Sequence, residues 1–111
     1  MEIVNKNIFY ETKWRKGVLY ILDGNIRVYS RLEIEDSVEI GFSQGSRLIF
    51  SEGSKLEAGN IFAYQVDKNY NKMNTAIDGG FVFMELINKK FSINNVPILF
   101  EELEKHYLRN L

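Results

Sequence analysis

The run Gln44-Gly45-Ser46-Arg47-Leu48-Ile49-Phe50-Ser51 is followed directly by Glu52-Gly53-Ser54-Lys55-Leu56-Glu57-Ala58-Gly59. Both octets read polar, Gly, Ser, basic, Leu, variable, apolar, small. A looser copy, Asp36-Ser37-Val38-Glu39-Ile40-Gly41, precedes them. Each copy is a turn followed by a very short strand. Glycine enters turn conformations without steric cost, and an apolar residue at every second position suits a pleated strand. Self-similarity at so short a period points to stacked units that bury one continuous core.

The pattern extends on both sides of the octets. Ile26, Val28, Leu32, Ile34, Val38, Ile40, Phe42, Leu48, Phe50, Leu56, Ala58, Phe62, Tyr64 and Val66 all stand at even positions. Their odd neighbours are mostly polar, among them Arg27, Arg31, Glu33, Glu35, Glu39, Arg47, Lys55 and Glu57. Side chains alternate faces along a strand, so the even set is expected to face inward over many short strands. No helical period competes with it.

Upstream, Ile8 to Trp14 alternates as a half-buried strand, with Tyr10, Thr12 and Trp14 on one side. Val18 to Leu22 is an apolar run that ends at the turn signal Asp23-Gly24-Asn25. That turn fits a hairpin joining Val18–Leu22 to Ile26–Ser30, and equally a corner of a parallel coil. Spacing alone leaves both open.

Tyr20 to Val28, then Leu32-Glu33-Ile34, the two octets, and Gly59-Asn60-Ile61-Phe62-Ala63 together resemble the coils of right-handed parallel β-helix proteins. The resemblance covers about residues 17–66. It implies three short strands per coil, apolar side chains inward and Gly-Ser turns at the corners. It implies little about activity, because one scaffold carries many functions.

Downstream, Asp67 to Asn74 reads as a polar, Asn-rich loop with room for one distorted helical turn. Asp78-Gly79-Gly80 opens a strand over Phe81 to Ile87, and Phe91-Ser92-Ile93 makes a short last strand. Asn94-Asn95 before Val96-Pro97 is a helix-start signal, since Asn caps helices and Pro suits their first turn. Leu99, Leu103, Tyr107 and Leu111 then recur at i, i+4, i+8 and i+12. The spacing predicts an amphipathic helix over about 96–111, with Glu101 and Lys105 as a favourable pair.

The 111 residues, 45% hydrophobic and 26% charged, suit a single β-rich domain over 1–111 with its own core. Net charge is −1, so general nucleic-acid binding is a lesser expectation than contact with protein. There is no cysteine, which excludes disulfides, zinc–thiolate sites and cysteine nucleophiles. The lack of cysteine and of a signal-like N-terminus points to the cytoplasm. No apolar run is long enough to span a bilayer as a helix.

The lone His106 follows Glu102 by one turn, which suits a base, but a surface histidine near a helix end explains it as well. Glu33, Glu35, Asp36 and Glu39 crowd acids together, a feature of glycan chemistry and of calcium sites. Their outward parity also makes them an ordinary solvated face. Lys13, Trp14, Arg15 and Lys16 interleave an indole with three cations, a pattern that stacks on rings and meets phosphates. A core tryptophan flanked by strand-solubilising charges is the competing account. Tyr64 and Tyr70, at the Asn-rich loop, suit a polar–aromatic binding rim, with ordinary tyrosine packing as the competing account. No nucleotide fingerprint, nucleophile elbow or metal spacing is present, so no catalytic residue, metal or cofactor is assigned.

The expected fold is mainly β. It is either a short parallel β-solenoid or a compact β-barrel or sandwich, closed by one C-terminal helix. The expected function is non-enzymatic binding or assembly by protein–protein contact, including inhibitor- or immunity-type action and self-association. The ligand or partner surface would use Lys13, Trp14, Arg15, Lys16, Tyr64 and Tyr70. Alternatives are a small-ligand or nucleotide binder, and a carbohydrate-active enzyme working through the acidic cluster.

Overall fold

The computed structural model describes residues 1–84, 90–94 and 96–100. Within them lie eleven strands: β1 (Glu2–Val4), β2 (Thr12–Trp14), β3 (Leu19–Leu22), β4 (Asn25–Val28), β5 (Arg31–Ile34), β6 (Val38–Phe42), β7 (Arg47–Phe50), β8 (Lys55–Gln65), β9 (Gly80–Phe83), β10 (Lys90–Asn94) and β11 (Ile98–Phe100). Every pairing between named strands is parallel. The protein is mainly β, with no helix among the described residues.

Parallel neighbours cannot be joined by a tight hairpin, so the chain must travel before it returns. It does so by passing three rows of strands in turn. The first row is β1, β3, β6 and the second half of β8. The second row is Ile8, β4, β7, β9 and β11. The third is β2, β5 and the first half of β8. Strand β10 lies along β8 from Glu57 to Phe62. Asp23-Gly24 is therefore a coil corner, and the hairpin alternative falls away. Gly24 takes φ +110 there, a conformation that favours glycine.

Inward side chains stack like on like from coil to coil. Ile26 lies against Leu48 and Leu48 against Phe81. Val28, Phe50 and Phe83 form the next column, and the Phe50 and Phe83 rings stack at 4.9 Å. Leu32 pairs with Leu56, and Leu22 with Phe42. These side chains are essentially fully buried.

The two octets occupy different places from those the repeat suggests. Leu48 and Leu56 do not stack on one another. They sit on β7 and β8, two successive sides of one coil. The octet is the length of a side plus its corner, and it repeats around the coil.

The even parity holds from Ile26 to Leu56 and then reverses. Ile61 is buried, whereas Phe62 is 56% exposed. The corner explains it. Between the third and first rows the chain advances four residues from Ile34 to Val38, but three from Ala58 to Ile61. An odd step turns every later side chain over. The shorter corner is held by Asp36, whose Oδ1 accepts from the Asn60 amide at 2.8 Å, and Gly59 leaves Asp36 the space.

Two other expectations are corrected. Ile8 to Trp14 is not one strand. Ile8 bridges to Val28, the chain bends at Tyr10, and Thr12–Trp14 pairs with β5. The C-terminal helix is not shown. Its expected first turn, Ile98–Phe100, is strand β11 on β9, and the Phe81 amide donates to the Pro97 carbonyl at 2.9 Å. The open edge of β9 offers backbone partners that outweigh a local helix signal. Residues 101–111, with His106, lie outside the described residues, as does the end of the expected strand at 85–87.

Candidate functional site

The residues expected to bind do not form one surface. Trp14 ends β2 as an inward residue, 3% exposed, stacked on Tyr20 with centroids 4.8 Å apart. It is a core side chain and offers no surface platform. The Tyr20 hydroxyl accepts from the Arg15 amide at 2.7 Å, which closes the turn after β2. Lys13 points outward, with its Nζ 3.6 Å from Glu33 and 4.0 Å from Glu35. The Lys16 amide donates to Glu35 Oε1 at 3.1 Å.

These contacts also account for the acids. The outward side of the third row carries Lys13, Glu33 and Glu57 in register, with Arg31 two residues before Glu33 on β5. Arg31 bonds to Glu57 and Glu11, which hold its guanidinium pKa above the ordinary range. Asp36 is engaged at its corner, and Glu39 lies on a different row beside Tyr64. The acidic cluster is thus dispersed into a cross-strand charge ladder. Among the described residues no group of three metal-ligating side chains converges.

Tyr64 lies on the outer side of the first row, in register with Gly41, Ile21 and Ile3. It is therefore three strand spacings, about 14 Å, from the first coil. The Lys72 ammonium sits 5.0 Å from its ring centroid. Burial, then the Glu39 carboxylate, pushes the phenol pKa up. Tyr70 belongs to a different feature, a cleft of about 880 Å³ where the first row turns into the second.

That cleft exists because one corner is long. The corresponding turns take the chain from Leu22 to Asn25 and from Phe42 to Arg47, whereas here it runs from Gln65 to Gly80. Asp23, Gln44, Asp67, Tyr70 and Asp78 line it. Gln65 is buried beneath, and its Oε1 accepts from the Asp78 amide at 2.7 Å. Asp67 Oδ1 accepts from the amides of Asn69 at 2.8 Å and Asn71 at 3.0 Å. Those bonds, Asn71 first, hold the Asp67 carboxyl below its usual range. Tyr70 sits at φ +66 in the same turn.

The second surface is the first coil. Strands β1 and β2 end their sheet, and Ile8 bridges only to Val28 among the described residues. All three sides of this coil therefore present an edge that is unpaired among the described residues. Met1, Ile3, Phe9 and Tyr10, at 72, 41, 60 and 82% exposed, lie on it. Phe9 rests one ring face on Tyr29 of the next coil at 5.2 Å, with the planes 3° apart. A hollow of about 290 Å³ bounded by Val4, Ile8 and Trp14 opens at the same end. Sequence reasoning passed over Phe9 and Tyr29. Their separation matches the coil length that joins Ile8 to Val28, and adjacent Phe9 and Tyr10 cannot both face inward.

The chain matches no family model, no curated protein and no solved structure. Among the described residues no helix is long and apolar enough to cross a membrane.

Proposed function

We propose that the chain is a short parallel β-solenoid that works as a protein-binding or assembly module through its first coil. The single observation that carries this reading is the coincidence of a three-sided edge, unpaired among the described residues, with four exposed large apolar side chains. Natural sheets protect their edges with charge, proline or cover, because an open edge recruits another strand. Here the edge carries charges at Glu2, Lys6 and Lys13, but the exposed apolar side chains of Met1, Ile3, Phe9 and Tyr10 stand among them. Aromatic residues and methionine are the types enriched where proteins meet, and strand addition is an established mode of recognition.

Sedimentation velocity across a concentration series, on the wild type and on Tyr10→Asp, tests the reading. The expected result is association that Tyr10→Asp disperses while the far-ultraviolet spectrum stays unchanged. A wild type that remains monomeric and captures no protein partner through this coil would overturn it.

A second reading rests on the cleft. Its ring, carboxylates and amide suit a small polar ligand, and its volume lies in the usual range for such sites. A thermal-shift panel of sugars and nucleotides, compared between wild type and Tyr70→Ala, tests it. A stabilisation that Tyr70→Ala abolishes is the expected result, and no shift with any compound counts against it.

A further inference from the structure

We infer that residues 67–76 are a lid over the cleft, which lifts as one piece while the coils beneath it stay closed. This rests on the cleft reading above and adds how that site is reached.

The two feet of the lid are tied to the body. At one foot the Val66 amide donates to the Phe42 carbonyl at 2.9 Å. At the other the Gly45 amide donates to the Asp78 carbonyl at 2.8 Å, and Gln65 Oε1 accepts from the Asp78 amide. Ile77 packs against the inner core. These ties close the corner with no contribution from the residues between them.

Between the feet the chain is lightly held. No side chain from Asp67 to Ala76 is buried, and those of 71–76 are all exposed. Among the described residues two polar contacts join this stretch to the body: the Met73 amide donates to the Gln65 carbonyl at 2.9 Å, and the Lys72 ammonium sits on the Tyr64 ring. The tip, by contrast, is bonded to itself. Asp67 Oδ1 accepts from the Asn69 and Asn71 amides, the Asp67 amide donates to the Asn71 carbonyl, and the Tyr70 amide donates to the Asp67 carbonyl. Four bonds inside the tip against two contacts to the body put the weakest plane between lid and body. Segments that bury so little apolar surface open locally, without global unfolding.

Beneath the lid lies a patch that needs cover. Gln65 points inward, so Val66 points outward, yet Val66 is only 1% exposed. It stands apart from the inner core and meets Ile21 and Tyr64 above Gly41. A Cβ on Gly41 would lie 2.8 Å from Ile21 Cδ1 and from Val66 Cγ1, and 3.7 Å from Tyr64 Cε2. Lys72 is the bridge partner of Val66 and lays the lid across this patch. Val66 also lines the cleft, together with Ser43 of the body and Tyr70 and Met73 of the lid. Lifting the lid therefore uncovers Val66 and widens the entrance, and closing it encloses a bound molecule.

The chain has no cysteine, so an introduced thiol reports opening directly. Val66→Cys is compared with Val38→Cys, a fully buried position of the same row within the inner core. Under native conditions Val66→Cys is expected to react with a thiol reagent at least about a hundredfold faster, at a rate that low urea leaves unchanged. Amide exchange on the wild-type chain provides a second measurement. The Met73 amide is expected to exchange ahead of the Val66 amide, and Lys72→Ala to speed Met73 about fivefold without moving Val66. A Val66→Cys thiol as slow as Val38→Cys overturns the lid. So do Met73 and Val66 amides that exchange together with one urea dependence, or that Lys72→Ala moves alike. No ligand enters these measurements, so the two readings fail separately. A silent ligand panel removes the cleft's ligand and leaves the opening; a lid that stays shut beside a responding panel leaves the cleft as a site without a gate.

Discussion

Gln65 and Asp78 stand at the two ends of the longest loop, and one hydrogen bond of 2.7 Å joins them. The Gln65 side chain points inward from β8, 5% exposed, and also reaches the Val66 carbonyl at 3.5 Å. A buried amide at the mouth of a long corner closes it much as a backbone pair would. Gln65→Leu keeps the volume and removes both bonds. It leaves the Asp78 amide without its partner, at a cost of about 1–2 kcal/mol. The expected outcome is a lower denaturation midpoint with an unchanged slope, together with faster proteolysis between 66 and 79. A variant as stable and as resistant as wild type would show that the loop is held by other contacts.

Trp14 reports on the first coil because it is the only tryptophan. Its ring is buried against Tyr20 and sits beside the hollow at the open end. Emission should be blue-shifted and resistant to iodide. Association through the first coil should shift it further, whereas a ligand in the distant cleft should not. Red-shifted, readily quenched emission would mean that the indole stands on the surface after all.

Much of the fold was legible because alternation is local. Ile26 to Leu56 faces inward as the even parity requires, since each strand there is a short pleat. The turn residues also spoke clearly, and Gly24, Gly45 and Gly53 all take positive φ at corners. What misled was corner length. One residue fewer before Ile61 reversed the faces of β8, and nothing in the composition of Gly59-Asn60 announces it. The octet repeat marked the sides of a coil, and only long-range pairing tells a side from a coil. Candidate sites were harder still. Lys13, Glu33 and Glu35 looked like chemistry in sequence, but parallel register turned them into a ladder. Phe9 and Tyr29 became a pair only when the coil length was known.

Asp67 makes the cleft loop sensitive to acid. Its carboxylate accepts two backbone amides, and its pKa lies below the usual range. A depressed carboxyl pKa contributes stability that is present above the unfolded value. That contribution is lost as pH falls through the folded value. The 67–71 turn should therefore loosen only under acid conditions, seen as accelerated amide exchange at Asn69 and Asn71. Asp67→Asn should exchange faster at neutral pH and lose the acid dependence. An acid profile identical in the two proteins would place the titration elsewhere.

Three glycines should rank in a fixed order when changed to alanine. At Gly45 the φ of +70 is strained for alanine, but no atom lies within 4 Å of the added Cβ, so the cost is about 1 kcal/mol. At Gly41 the backbone is ordinary and the space is not. A Cβ would stand 2.8 Å from both Ile21 Cδ1 and Val66 Cγ1, an overpacking of about 1–3 kcal/mol. At Gly79 both penalties combine: φ is +134, and the Ser46 carbonyl oxygen would lie 2.0 Å from the new carbon. That oxygen also accepts from the Gly80 amide and cannot simply retreat. Gly79→Ala should therefore be the worst, exceeding Gly41→Ala by a margin visible in any denaturant titration. The Gly41 clash should also be coupled to Ile21. Ile21→Val deletes one of the two offending methyls, so the double variant should cost less than the sum of its singles. Strict additivity, or Gly45→Ala as the most damaging of the three, would contradict the packing between the first row and Val66.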